Sequence, residues 1–146
     1  MANQAADDLR LARGEGPRIT VLGDAAEAWA DEDQVRQALR NLVMNAADAA
    51  GSSGTITLRT GSRSGDRVWV EVEDTGPGVP PALRERIFHP FTSGKPGGTG
   101  LGLAIVSRIM EEHEGEIELL PVPSGGARFR MTFNCSRAAR GMSRAA

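Results

Sequence analysis

Between Asp31 and Ala50 the chain runs for twenty residues without a glycine or proline, and no other feature limits its possible folds so sharply. The stretch is rich in Ala, Leu, Gln and Arg, and its first turn is acidic, where carboxylates meet the positive end of a helix dipole. It predicts one long helix. Val35, Leu39, Leu42, Val43 and Ala46 recur at helical spacing and define the face that must meet a sheet. At about 100° per residue, Asn41, Asn45 and Asp48 fall together on a stripe beside that face.

The remaining segments supply the sheet. Ile19, Val21 and Leu22 predict a first short strand, and Ala28-Trp29-Ala30 a second. Gly51 to Gly54 end the helix; Thr55–Thr60 then alternates as a strand, and a polar turn, GSRSGD, leads to another at Arg67–Asp74. These two form a hairpin. From Thr75 to Thr99 glycine and proline dominate, with one small helical piece at Ala82–Ile87; so long a loop inside a compact domain is usually functional. A second helix spans Leu101–Glu114 and stops at Gly115, and strands follow at Glu116–Leu120 and Arg128–Phe133. This order predicts an α/β (α+β) two-layer sandwich, a mixed β-sheet covered on one face by helices.

At 146 residues and 40% hydrophobic content the chain suits one packed core. Residues 1–17 read as a linker or fragment edge, 18–134 as the domain, and 135–146 as a disordered tail whose Arg137, Arg140 and Arg144 are solvated charges. A net charge of −2 creates no field that gathers nucleic acid or anionic lipid. No apolar run is long enough to span a membrane, and the polar start does not resemble a secretory segment, so no direct membrane contact is expected of this segment. The single cysteine, Cys135, reads as a small residue at a strand end, and Trp69, on the strand face shared with Arg67 and Glu71, as a packing residue that covers a sheet edge.

Three groups of residues carry possible chemistry. Asn41, Asn45 and Asp48 form the first: a carboxamide oxygen is a hard, neutral ligand that can join phosphate oxygens and waters around Mg²⁺. Taken alone, the same stripe is an ordinary solvated helix face. The second is Asp74-Thr75-Gly76-Pro77-Gly78, directly after a strand. Its carboxylate can accept from an exocyclic amine, and its glycines permit positive φ and close approach to a flat ring such as adenine. A tight turn with a turn-favouring Asp fits the residues equally well. The third is Gly97-Gly98-Thr99-Gly100-Leu101-Gly102-Leu103, running straight into the second helix. Backbone N–H groups and a helix N-terminus together make a phosphate cradle. The spacing matches neither the Rossmann nor the Walker pattern. Phe88-His89-Pro90-Phe91 precedes this loop, and Lys95 stands within reach of a phosphate or as a plain solvated charge.

In order and context these segments resemble the nucleotide-binding boxes of sensor histidine kinases. QVRQALRNLVMNAADAA looks like the N box, VEDTGPGVP the G1 box, IFHPF the F box and GGTGLGLAIV the G2 box, over about residues 18–134. The resemblance implies the Bergerat ATP-binding fold, with ATP and Mg²⁺ as cofactors and a lid at about 88–99. It implies Asn45 as Mg²⁺ ligand and catalytic residue, with Asn41 and Asp48 near the phosphates. Asp74 becomes the adenine-amine acceptor beside Gly76 and Gly78, and Lys95, Gly98, Thr99, Gly100, Leu101 and Gly102 the phosphate side. The F-box proline is followed by Phe91-Thr92 rather than two phenylalanines, which leaves lid length open. The Ala-Asp-Ala-Ala ending of the N box is similar to nitrogen-sensor and dicarboxylate-sensor kinases.

A histidine kinase also needs an acceptor histidine on a dimerising helical hairpin, and neither His89 nor His113 sits in such a segment. The chain therefore reads as a fragment or a stand-alone ATP domain. The resemblance implies that a dimerisation and histidine-phosphotransfer domain of the same parent is its direct partner and a response regulator an indirect one. It implies a cytoplasmic location, within a parent that can be anchored in the inner membrane. An ATP-gated conformational module of the GHKL type and an anti-sigma-type serine kinase are the alternative readings.

Overall fold

The computed structural model describes residues 16–23, 28–64, 66–92 and 100–135. The elements in chain order are β1 (Arg18–Gly23), α1 (Glu32–Ala50), β2 (Thr55–Arg63), β3 (Arg67–Asp74), a 3₁₀ helix (Pro81–Arg86), α2 (Gly102–Glu112), β4 (Glu116–Leu120) and β5 (Ala127–Asn134). The five strands form one sheet in the order β1-β2-β3-β5-β4. β1 runs parallel to β2 and every other pair is antiparallel, so the expected mixed sheet is present.

Alternation along the strands sorts the residues into two faces. Ile56 and Leu58, Val68, Val70 and Val72, and Phe129, Met131 and Phe133 are buried on the face that meets the helices. There they join Val35, Leu39, Leu42, Val43 and Ala46 of α1 and Val106, Ile109 and Met110 of α2 in one core. Leu42 has no exposed surface; its truncation to alanine costs about 2–5 kcal/mol. The other sheet face is charged. In register across β2, β3 and β5 lie Arg59, Glu71 and Arg130, then Thr57, Glu73 and Arg128.

Asp31 caps α1 by accepting from the Gln34 N–H at 3.1 Å. Gly51, at φ 71°, ends the helix with its N–H on Ala47 O. At the far end of α2 it is Glu114 that turns left-handed, at φ 54°. Its N–H reaches Glu111 O while the Gly115 N–H reaches Met110 O, the paired bonds of a Schellman cap. Gly115, expected to stop this helix, is needed for space instead: a Cβ there would lie 2.5 Å from Thr132 O.

Four sequence expectations shift. Ala28-Trp29-Ala30 is no strand; it crosses the end of the sheet with a single bond from Trp29 N–H to Asn134 O, at 3.1 Å. Gly61, Ser62 and Arg63, expected in a turn, extend β2, because the missing Cβ of Gly61 leaves room for the Trp69 ring across the pair. Trp69 covers the sheet interior, not its edge, since β3 is the central strand, and Arg130 stacks over it at 5.1 Å. The small helix is a 3₁₀ turn opening on Pro81, whose absent N–H loses nothing at a helix start. Residues 1–15, 24–27, 65, 93–99 and 136–146 lie outside the described residues, and with them nearly all of the expected linker and tail.

Candidate nucleotide site

The stripe beside the buried face of α1 opens onto a cavity of about 600 Å³. Asn41, Asn45 and Asp48 line it from α1, Asp74 and Gly78 from the end of β3 and the loop after it, and Gly100 and Gly102 from the entry to α2. Segments as far apart in sequence as 41 and 102 thus meet around one space, joined directly where the Asn41 side-chain amide donates to Gly102 O at 3.4 Å.

The Asp74 end is closely built. Asp74 is 2% exposed, and its Oδ1 accepts the Gly76 N–H at 2.8 Å, an Asx-type turn that fixes the carboxylate. Gly76 does not line the cavity; it backs the wall, where a Cβ would come within 2.6 Å of Ala49 O. Gly78 sits at φ 80° against Gly126 O, and Gly126, at φ 85°, lies so near Asp74 O that a Cβ would stand 2.0 Å from it. The turn between β4 and β5 is thus pressed against the backbone of Asp74.

The other end is more open. Among the described residues, nothing lies within 4 Å of a Cβ added at Gly102, the first residue of α2, and no side-chain cap bond is made at its N-terminus. The helix dipole there favours an anion. Gly100, at φ 68°, packs on the backbone of Phe91 and Thr92, and the Phe91 N–H donates to Gly100 O at 3.0 Å. Leu101 occupies the cap position but lines no part of the cavity, its side chain being 36% exposed. Lys95, Gly98 and Thr99, with the greater part of the expected lid, lie outside the described residues.

Between the two ends the walls are apolar. Met44 and Ala49 contribute from α1, Val79, Leu83 and Ile87 from the loop and 3₁₀ helix, and Leu103, Ala127 and Phe129 from α2 and β5. Sequence reasoning assigned none of these a role in the site, although Leu103 closes the third group. Met44 was findable, because 41, 44, 45 and 48 follow one helical stripe. Phe129 carried no signal separating it from the rest of the core.

The cavity holds the carboxylates of Asp48 and Asp74 and, among its described lining residues, no cation. An apolar-walled cavity with the buried carboxylate of Asp74 at one end suits an aminopurine. A polyphosphate beside these carboxylates needs charge compensation, which a divalent metal on the Asn45 carboxamide and the α2 N-terminus can share. No group of three or more His, Cys, Asp or Glu side chains able to hold a metal occurs among the described residues. A magnesium ion that keeps several waters and takes one or two protein ligands suits such a donor set.

Residues 30–137 match the family model described as "Histidine kinase-, DNA gyrase B-, and HSP90-like ATPase". The chain is 39% identical over 127 residues to the sensory histidine kinase/phosphatase NtrB of Escherichia coli O157:H7, covering 80% of this chain and 35% of that protein. It spans about a third of the length of that curated relative. The catalytic domain of histidine kinase ThkA, in a nucleotide-free form, superposes with a TM-score of 0.78 at 30% identity, covering 94% of both chains. Full-length ShkA in complex with AMPPNP superposes with a TM-score of 0.80 at 34% identity, covering 94% of this chain and 30% of that one.

Proposed function

Because the chain belongs to the histidine kinase-, DNA gyrase B- and HSP90-like ATPase family, we propose that it is the Mg²⁺-ATP-binding catalytic domain of a two-component sensor histidine kinase. In this reading it presents the γ-phosphate to a histidine on a dimerisation and phosphotransfer domain of the same parent, from which a response regulator is served indirectly. The similarity to NtrB favours the nitrogen-sensor branch. The observation that carries the reading is the cavity in which the α1 carboxamides, the buried Asp74 and the start of α2 converge.

Each residue then has a stated task. Asp74 accepts from the adenine amine, and Gly78 lets the backbone approach the ring. Asn45 holds Mg²⁺, with Asn41 and Asp48 beside the phosphates. Gly100, Leu101 and Gly102 bring backbone N–H groups to the phosphates, and Gly98, Thr99 and Lys95 complete that side. When bound, the nucleotide supplies the phosphoryl group and the metal offsets its charge. The protein's own contribution is positioning and electrostatic preorganisation, while the nucleophile and its base come from the partner domain. No helix among the described residues is long and apolar enough to cross a membrane; we place the domain in the cytoplasm.

The test has two stages. Calorimetry with Mg²⁺ and ATP should give saturable heat, and labelled ATP should then transfer phosphate to an added helical hairpin bearing a histidine. Transfer to a serine of an antagonist protein instead points to an anti-sigma kinase, and binding without transfer to any acceptor points to a conformational module. Full transfer by Asn45→Ala, which removes the ligand oxygen, refutes the metal assignment.

A further inference from the structure

α1 and α2 lie antiparallel, and their relative offset is marked at two places. Near the cavity Asn41 meets Gly102, while at the distant end the Asp31 N–H donates to His113 Nε2 at 3.0 Å. His113 closes α2 and is 4% exposed. Its Nδ1 lies 2.7 Å from the carbonyl oxygen of Ile109, which can only accept, so Nδ1 carries the hydrogen and Nε2 the lone pair. Both ring nitrogens are thereby committed in one neutral tautomer, and the ring stands edge-on to Phe133. A second line supports the first: Trp29 N–H bonds Asn134 O, and the Asn134 side chain donates to Glu114 O.

We propose that His113 is a positioning residue for the nucleotide site, fixing where α1 begins against the end of α2 and so the offset at which Asn41 and Asn45 face Gly100 and Gly102. The proposal rests on reading the cavity as a nucleotide site. The two walls belong to helices whose facing residues are 61 positions apart, so only tertiary contacts set their alignment. Apolar packing by Ala38, Leu42 and Val106 is non-directional, whereas a hydrogen bond to a ring nitrogen constrains distance and angle. Asp31 is also the N-cap, so the bond it donates to His113 locates the first turn of the helix. The 3.4 Å contact of Asn41 with Gly102 is already long, and a small slide between the helices abolishes it.

Three substitutions in the full chain separate this role from mere core filling. His113→Gln keeps an acceptor within reach of the Asp31 N–H, His113→Asn keeps only the donor to Ile109 O, and His113→Phe keeps the ring and neither bond. AMPPNP with Mg²⁺ is titrated calorimetrically at a temperature where circular dichroism shows each variant folded, which removes global stability from the comparison. Asn and Phe should weaken the dissociation constant roughly five- to tenfold, the range of a modest coupling between sites, with Gln close to wild type. Equal affinity throughout, or equal loss in Gln and Asn, overturns the proposal; if Phe fails to fold, the Gln and Asn pair decides. Should the wild-type chain bind no nucleotide, the functional reading falls, and the latch is judged from the Asn41 side-chain amide resonance of the free chain. Its displacement in Asn and Phe but not Gln supports the latch, and its constancy refutes it.

Discussion

The two ends of the cavity are built on opposite plans. Around Asp74 the backbone is wedged against itself: Gly76 against Ala49, Gly78 against Gly126, and Gly126 against Asp74. Around Gly102 an added Cβ meets none of the described residues, and the Asn41 bond to Gly102 O across the walls is long, at 3.4 Å. A rigid pocket suits the part of a ligand that is always the same shape, here a planar base, and supplies specificity at little ordering cost. A loosely filled end leaves room for a flexible, highly charged chain whose own metal and waters complete the packing. A methyl added to a wedged glycine at the first end should therefore disturb fold and binding together, whereas one added at Gly102 should leave the fold intact and weaken binding.

The largest effect is expected at Asp74. In Asp74→Asn the side-chain oxygen still accepts from Gly76, so the turn survives, but an NH₂ now faces the adenine amine, donor against donor. Nucleotide affinity should fall on the order of a hundredfold, as for a lost charged hydrogen bond with its partner left unpaired. Melting temperature should move little. Retention of wild-type affinity by calorimetry removes Asp74 from the base site.

Gly126→Ala attacks the same end from behind. A left-handed φ and a Cβ 2.0 Å from Asp74 O together should cost on the order of 3 kcal/mol of stability, measured by denaturant unfolding, with affinity reduced in whatever remains folded. Unchanged stability means that the β4–β5 turn is not locked to Asp74. Gly102→Ala sharpens the contrast. At the start of α2 the extra methyl meets none of the described residues, so stability should rise by about 0.5–1 kcal/mol while Mg²⁺-ATP binding weakens by roughly a few-fold. Equal binding shows that the phosphates do not approach this backbone.

Legibility in the sequence followed how local the cause was. The α1 stripe, the Asp74 turn and the glycine run before α2 each follow from neighbours within a few residues, and the cavity joins members of all three. The sheet hairpins followed from period-two alternation. Trp69 was misplaced because strand order, not strand sequence, decides what counts as an edge. Gly126 escaped notice because its role is contact with a backbone about fifty residues earlier, at Asp74. His113 reads from sequence as a helix-terminal residue, which it is; that it also holds Asp31, 82 residues away, is visible only in three dimensions.

The charged face of the sheet provides the smallest effect on nucleotide binding and a control remote from either end of the cavity. Glu73 bridges Arg59 at 2.7 Å and Arg128 at 2.8 Å. Burial alone raises its carboxyl, but hydrogen bonds from both arginines and their charges outweigh that, and the net shift is below the ordinary 4.5. A carboxylate depressed in the folded state adds stability that is fully present above 4.5 and lost as pH falls through the lower, folded value. Glu73→Gln should therefore cost roughly 1 kcal/mol at neutral pH, as for a partly exposed network, and the mutant and wild-type stabilities should converge below pH 4.5. Nucleotide affinity should not change, because Glu73 points away from the helices while its neighbour Asp74 points toward them. A constant gap between the two stability curves down to low pH refutes the pairing. A loss of affinity in Glu73→Gln breaks the distinction between the two faces of the sheet, since it means that strain on the charged side reaches Asp74 through β3.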